Sequence, residues 1–185
     1  MSKQLLPYVL VVAIAVSAPA TAQDVHSQHH APEKGSGMET PPSLATEHRE
    51  LHEVLARASK EGGELGNAAE ELEQALAPHF KREEEIATPP LGLLPKLARD
   101  QATADMRAVL SMTDALEREL PQMLKEHERI REAVGKFRSA AEKAGKAEYV
   151  RFSDELAAHA RQEEEILYPA AVLVGRYVKR TAPQR

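Results

Sequence analysis

The sequence contains no cysteine, so the chain cannot form disulfides, and any metal it binds must be held by nitrogen and oxygen. Thiolate-bound zinc and iron–sulfur clusters within this chain are thereby excluded. The chain also lacks an excess of positive charge, since 24 Lys and Arg stand against 29 Asp and Glu, for a net charge of −5. That balance argues against nucleic acid and anionic lipid as partners.

Long hydrophobic runs and alternating patterns are missing as well. The apolar run at residues 8–16 is shorter than the stretch of about 20 residues that a membrane helix needs. No segment alternates with a period of two, which argues against β-strands, whereas apolar residues beyond residue 43 recur at helical spacing. We therefore expect an all-α protein.

The N-terminus has the features of an export signal. Lys3 precedes the apolar run, and Ala20 and Ala22 place small residues where a signal peptidase cuts. We expect a signal peptide at residues 1–22 that is cleaved after Ala22, and hence a periplasmic or secreted protein without stable membrane insertion. An uncleaved anchor is the alternative. Residues 23–43 carry Pro, Ser, Gly and His with few apolar residues, which predicts a disordered polar linker.

The remaining residues, 44–180, predict one helical domain. Apolar spacing predicts helices over 44–61, 65–86, 121–144 and 148–179, with an extra lead-in helix before helix three. Whether Pro121 starts helix three or lies inside a longer helix stays open. We expect Leu124 and Ile166 on the inward faces of helices three and four.

One motif, a histidine followed four positions later by a glutamate, occurs twice, in residues 79–83 and 159–163. This spacing places both side chains on one helical face, about one turn apart. The Glu-His dipeptide upstream of each motif is also repeated, at residues 47–48 and 126–127. Repetition in phase predicts two helical hairpins packed as an antiparallel four-helix bundle.

The repeat places six polar residues around one interior point of the bundle. Burial without partners would cost free energy for each group, and a pair of metal ions would remove that cost. Each histidine supplies one ligand and each glutamate can bridge, a donor set that suits iron or manganese better than calcium or structural zinc. The expected ligands are His48, His79, Glu83, His127, His159 and Glu163.

Three neighbouring positions leave alternatives open. Glu84 and Glu164 could replace Glu83 and Glu163 as ligands, although the one-turn spacing from the histidines favours Glu83 and Glu163. His52 lies one turn after His48 and is either a seventh ligand or a group beside the ligands. For Tyr168 we expect packing or a surface hydroxyl, not a redox role.

The order His, His-x-x-x-Glu, His, His-x-x-x-Glu on four helices resembles the hemerythrin-like (HHE cation-binding) family, over roughly residues 43–178. The resemblance implies two non-haem iron ions, oxo- or hydroxo-bridged, with the four histidines as terminal ligands and the two glutamates as bridges. Oxygen-carrying hemerythrins have a second histidine on the third helix, and this chain has Arg131 there instead.

The resemblance implies a di-iron protein that binds a small diatomic ligand, dioxygen or nitric oxide, or that senses or stores iron, and the N-terminal signal adds the expectation that it is exported. An alternative is a di-iron enzyme that reduces nitric oxide, peroxide or dioxygen in oxidative or nitrosative stress defence. A third interpretation is a helical bundle without metal. The resemblance indicates the cofactor more firmly than the physiological role.

Overall fold

The computed structural model of the protein describes residues 38–184. The expected signal peptide at residues 1–22 and most of the expected linker lie outside this range. Residues 38–184 fold into helices and short connections with no strand, which confirms the all-α prediction for this range. None of the helices in this range is both long enough and apolar enough to cross a membrane.

Four long helical segments form the bundle: α1, α2, α4, and α5 continued by α6. A five-residue π-helix, Glu163–Leu167, joins the last two. Short 3-10 segments at Ser59–Glu61, Pro89–Leu93 and Ala104–Val109 lie between the others. The α-helices are α1 (Pro42–Ala58), α2 (Gly63–Ile86), α3 (Leu94–Leu97), α4 (Leu110–Lys143), α5 (Ala147–Gln162) and α6 (Tyr168–Thr181).

Proline and glycine mark the ends of the helices as the sequence predicts. Pro42 is the first residue of α1, where a missing N–H costs nothing. Gly62 and Gly63, with φ of 69° and 59°, turn the chain between α1 and α2. Gly145, with φ of 68°, turns it between α4 and α5. Positive φ favours glycine, because it has no Cβ to clash.

Pro121 does not interrupt the helix that contains it. The segment expected as a separate lead-in helix, residues 96–120, is divided in the structure: its second half is the start of α4, which runs unbroken from Leu110 to Lys143, and its first half holds the end of α3 and a 3-10 segment. The prediction of an extra helix is therefore not confirmed. A proline inside a helix forfeits one backbone hydrogen bond. Tertiary packing offsets the loss here, because Leu116 and Met123 are fully buried on either side of the proline.

Three apolar clusters form within residues 38–184, and the polar residues of interest lie between two of them on every long helix. One cluster includes Leu55, Leu72 and Phe137, and the other includes Ile86 and Met123. Along each long helix the chain leaves one cluster, passes the histidines and glutamates, and enters the other. The polar residues are therefore enclosed by apolar packing on both sides.

The first part of the connector between α2 and α4 is apolar and buried. Pro89, Pro90 and Leu91 are all buried, and Leu91 belongs to the same cluster as Ile86. Two inward predictions are wrong: Leu124 is 38 % exposed and Ile166 is 58 % exposed. Met123 takes the inward position beside Leu124, and the π-helix rotates Ile166 out of the interior.

Candidate metal centre

The six polar side chains that the repeat singles out come together in the interior. At most 5 % of any of them is exposed. Every long helical segment contributes, since α1 and α4 carry one each, α2 carries two, and α5 with the π-helix carries two. They are His48, His79, Glu83, His127, His159 and Glu163.

Their ligand atoms form two overlapping groups, within each of which all atoms lie within 4.8 Å of one another. The first group, here called the α2–α4 position, consists of His79, Glu83, His127 and Glu163. The second, the α1–α5 position, consists of His48, His159 and Glu163. The structure thus gathers all six residues, while their role as ligands stays a prediction.

Glu83 on α2 lies between the two positions. Its Oε1 is 3.5 Å from Nε2 of His79 in the α2–α4 position, and its Oε2 is 3.7 Å from Nε2 of His48 in the α1–α5 position. This Oε2 atom is buried and has no hydrogen-bond partner among residues 38–184. An unpaired buried oxygen costs free energy, and a bound cation would remove that cost.

Glu163 on the π-helix is arranged in the same way. Its Oε2 is 3.3 Å from Nε2 of His127, and its Oε1 is 2.7 Å from Nε2 of His159. The second contact is short but lacks hydrogen-bond geometry, and both of its atoms are buried without a hydrogen-bond partner in the described range. Two lone-pair donors held this close suit a shared cation, so the residues fit a metal site.

The outward nitrogen of each of these histidines contacts a carboxylate, with Nδ1-to-oxygen distances between 2.7 and 3.3 Å. An imidazole that donates its Nδ1–H to a carboxylate keeps the lone pair of Nε2 free for a metal and is held in orientation. The pairs are His48 with Glu84, His79 with Glu126, His127 with Glu164, and His159 with Glu47. We call these four glutamates the outer carboxylates.

Two outer carboxylates are the glutamates that the sequence leaves as alternative ligands. Glu84 and Glu164 contact Nδ1 atoms and are not members of either ligand group. Glu85 and Glu165, the next residues along the chain, are exposed. Each glutamate run therefore points one carboxylate inward, one at the outer edge of a histidine, and one into solvent.

The two inner carboxylates have opposite pKa shifts. Burial raises the pKa of Glu83 well above its usual range, and the nearby charge of Glu163 raises it further. Burial also opposes ionisation of Glu163, but its contacts with three imidazoles, those of His127, His159 and His48, hold its pKa well below the usual range.

Tyr168 is a site residue that sequence reasoning missed. Only 1 % of it is exposed, and its hydroxyl donates a hydrogen bond to Oε1 of Glu83. The same hydroxyl oxygen is 3.2 Å from Nε2 of His127 and 3.4 Å from Nε2 of His79. Burial and the nearby Glu83 charge raise the pKa of Tyr168, so the phenol is protonated. It therefore belongs to the α2–α4 position.

The π-helix explains why Tyr168 faces inward. The Tyr168 N–H donates to the carbonyl of Glu163, five residues back instead of four. The wider turn inserts one residue and rotates the helix, so Tyr168 takes the inward direction that regular helical spacing assigns to Ile166. Pro169, which cannot donate a backbone hydrogen bond, is the sequence signal for this irregular turn.

His52 does not join the ligand groups. Its Nδ1 is 2.8 Å from Oε1 of Glu73 on α2, and the ring meets Phe80 edge-on. Phe80 in turn stacks on His48 with 4.2 Å between ring centroids and 5° between planes. Among the open alternatives, the structure places His52 beside the ligands, behind a buried phenyl ring.

The helical bundle and its buried histidines and glutamates define a protein whose site is suited to a metal cation. The family model described as the hemerythrin HHE cation binding domain matches residues 42–171, most of the chain. The chain therefore belongs to this family, and the resemblance seen in the sequence is confirmed. Membership implies the binding of metal cations, typically iron. Comparisons with curated proteins and with solved structures gave no significant match.

Proposed function

We propose that the chain binds two non-haem iron ions, one at the α2–α4 position and one at the α1–α5 position. The observation that carries the proposal is that three of the four buried side-chain atoms without a hydrogen-bond partner within residues 38–184 belong to the inner residues: Glu83 Oε2, Glu163 Oε1 and His159 Nε2. The four histidines would be terminal ligands, and the two inner glutamates would bridge. The antiparallel order of the four helices belongs to the same proposal, because short turns connect α1 to α2 and α4 to α5.

The donor chemistry favours iron. Mixed imidazole nitrogen and carboxylate oxygen suits iron or manganese, whereas calcium prefers oxygen alone and structural zinc prefers a closed tetrahedral shell. Burial lowers the pKa of His79, which keeps this imidazole neutral and able to ligate. What bound iron adds is affinity for diatomic ligands and one-electron chemistry.

The accessible space favours a small ligand. The inner side chains are almost fully enclosed, and His79 and Glu126 are among the residues that line a cavity of about 500 Å³ between α2 and α4. Pro78, Met123 and Ile130 line part of its wall. We propose that this cavity admits dioxygen or nitric oxide, and that the protein binds such a ligand reversibly or uses the site to sense or store iron.

Reduction of peroxide, nitric oxide or dioxygen is the second candidate, and Tyr168 favours it. Reduction of these molecules consumes protons, and Tyr168 holds a hydroxyl group among the donors: its oxygen lies 3.2 Å from His127 Nε2, and its hydrogen is donated to Glu83. Single-turnover spectra of the iron-loaded protein mixed with each molecule separate the two candidates. A stable adduct that dissociates unchanged supports binding, whereas consumption of the added molecule with oxidation of the iron supports an enzyme.

We also propose export. The support is the short cationic start, the apolar run at residues 8–16 and the small residues before Gln23. Mass spectrometry of the protein isolated from periplasm or medium is expected to find a chain that begins at Gln23. Recovery only of a chain that begins at Met1 from membranes would support the anchor instead.

Elemental analysis tests the metal proposal. Protein purified under reducing conditions is expected to contain about two iron atoms per chain. His159→Ala and Glu163→Ala should each lose at least one ion, because each removes a donor at the α1–α5 position. His52→Ala is the matched control, since it removes a nearby imidazole outside both ligand groups, and it should retain the wild-type content.

Circular dichroism should confirm that all three variants remain helical. Equal iron content in the three would contradict the ligand assignment. If wild-type protein contains less than about one-tenth of an iron atom per chain and no other metal, the metal proposal is wrong.

A further inference from the structure

The sequence repeat gives each contact of one metal position a counterpart at the other. His48 contacts Glu84 within the first half of the repeat. His127 occupies the equivalent place in the second half, and we call such a pair of residues repeat mates. It contacts Glu164 in the same way. Where repeat mates differ in residue type, the difference therefore reports how the two positions differ. Two such differences lie beside the ligands.

Tyr168 and its repeat mate Thr88 are the first difference. The Tyr168 hydroxyl contacts the α2–α4 position through Glu83 Oε1 and the Nε2 atoms of its two histidines. The Thr88 hydroxyl instead lies 2.9 Å from that of Thr40. At the α1–α5 position the corresponding neighbour is Phe80, whose ring stacks on His48 and offers no donor.

The support of the outer carboxylates is the second difference. At the α2–α4 position, Glu164 accepts a 2.7 Å hydrogen bond from Arg131, and Glu126 accepts a 2.9 Å hydrogen bond from Gln122. The structure gives the outer carboxylates of the α1–α5 position, Glu47 and Glu84, no second side-chain partner within residues 38–184. Their side chains are 41 % and 51 % exposed, compared with 31 % and 25 % for Glu126 and Glu164.

We propose that the two positions hold metal with unequal affinity: the α2–α4 position retains its ion, and the α1–α5 position exchanges its ion with solution. This inference rests on the proposed function. At the tighter position four donors already lie within 4.8 Å of one another, the Tyr168 hydroxyl contacts them, and both outer carboxylates accept a second hydrogen bond. At the weaker position Glu83 stands farther off, with its Oε2 3.7 Å from Nε2 of His48, and the outer carboxylates are more exposed. Loss of outer partners commonly reduces metal affinity about 10- to 100-fold. We expect a difference of at least about tenfold.

Anaerobic titration of the metal-depleted full chain with Fe(II), followed by calorimetry and by competition with a chelator, measures both affinities. Wild type is expected to give two resolved binding events. Glu84→Gln and Glu164→Gln form a matched pair, because the two residues are repeat mates with equivalent contacts. Glu164→Gln should weaken the tighter event about tenfold, and Glu84→Gln should weaken only the looser one.

Tyr168→Phe removes the hydroxyl group and keeps the aromatic ring, so the variant should stay folded and helical. It loses the hydrogen bond to Glu83, which lowers the unfolding midpoint of the metal-free protein somewhat, and the tighter event weakens while the looser one does not. His48→Ala should leave one ion bound with the wild-type affinity of the tighter event. His79→Ala should abolish that event, because it removes a donor from the α2–α4 position.

Three outcomes overturn the inference. One is the uptake of two ions with equal affinity, which would leave the proposed function standing. Another is an equal effect of Glu84→Gln and Glu164→Gln on the same event. A third is loss of the tighter event in His48→Ala while His79→Ala retains it. Failure to bind any metal would overturn the proposed function itself, and with it this inference.

Discussion

Replacement of Glu83 by methionine is expected to stabilise the metal-free protein and to destabilise the metal-loaded one. Glu83 is fully buried, and its Oε2 has no partner among the described residues. Methionine has a similar length and fills the same space without a polar atom to satisfy. The substitution therefore removes a cost that only a bound cation offsets.

The expected size can be worked out from the contacts of Glu83. An unpaired buried polar atom costs about 1–3 kcal/mol, and the lost hydrogen bond from Tyr168 costs about 1 kcal/mol. The net gain is about 1 kcal/mol for the metal-free variant, or about 2–4 °C in Tm for a domain of this size. With free iron at about 100 times its Kd, one ion stabilises wild type by about 2.7 kcal/mol, so the order reverses.

Thermal unfolding under anaerobic conditions measures the stability of the metal-free protein when chelator is present and that of the metal-loaded protein when Fe(II) is in excess. We expect the Tm curves of Glu83→Met and wild type to exchange order between the two conditions. Glu70→Met, an exposed glutamate on the same helix, is the control and should leave both Tm values unchanged. If Glu83→Met is less stable than wild type with chelator as well, the buried carboxyl is satisfied without metal and the reasoning fails.

Acidity and close packing give further predictions. Because the pKa of Glu163 is depressed in the folded state, its ionised form stabilises the metal-free protein above the ordinary carboxyl pKa of about 4.3, and this contribution disappears as the pH falls further. Urea midpoints between about pH 3 and about pH 6 should therefore fall less steeply for Glu163→Gln than for wild type; equal slopes would contradict this. Gly175→Ala should cost about 1–3 kcal/mol, because its Cβ would overlap Oγ1 of Thr113. Gly135→Ala, with no atom within 4 Å of its Cβ, should stabilise α4 by up to about 1 kcal/mol; similar urea midpoints for the two variants would refute the packing argument.

Periodicity and repetition were sufficient to predict the inner ring of the site. A histidine and a glutamate spaced by one turn must share a helical face, and burial of the flanking apolar residues fixes which face that is. The structure accordingly gathers His79 with Glu83 and His159 with Glu163. Helix ends were predictable from glycine, because Gly62 and Gly145 occupy turns with positive φ that favour this residue.

The outer carboxylates were harder to predict, because they depend on contacts between helices. Glu126 is 47 positions from His79 in the chain, and its contact requires a particular spacing and rotation of α4 against α2. On its own helix, a partly exposed glutamate is indistinguishable from one that is merely solvated. Periodicity assigns a residue to a face, but it does not fix how two faces approach each other.

The inward turn of Tyr168 depends on the residues that come after a proline shared by both halves of the repeat. After Pro89 come Pro90 and Gly92, which do not continue an α-helix and form a short 3-10 segment instead, so α2 ends at Ile86 and Thr88 lies in the connector. After Pro169 come alanines and valines, and the helix resumes as α6 once the π-helix has absorbed the missing hydrogen bond. The same proline therefore ends one helix and only rotates the other. This difference directs a phenol toward one metal position and none toward the other, which is how a duplicated helical hairpin comes to enclose two unequal positions.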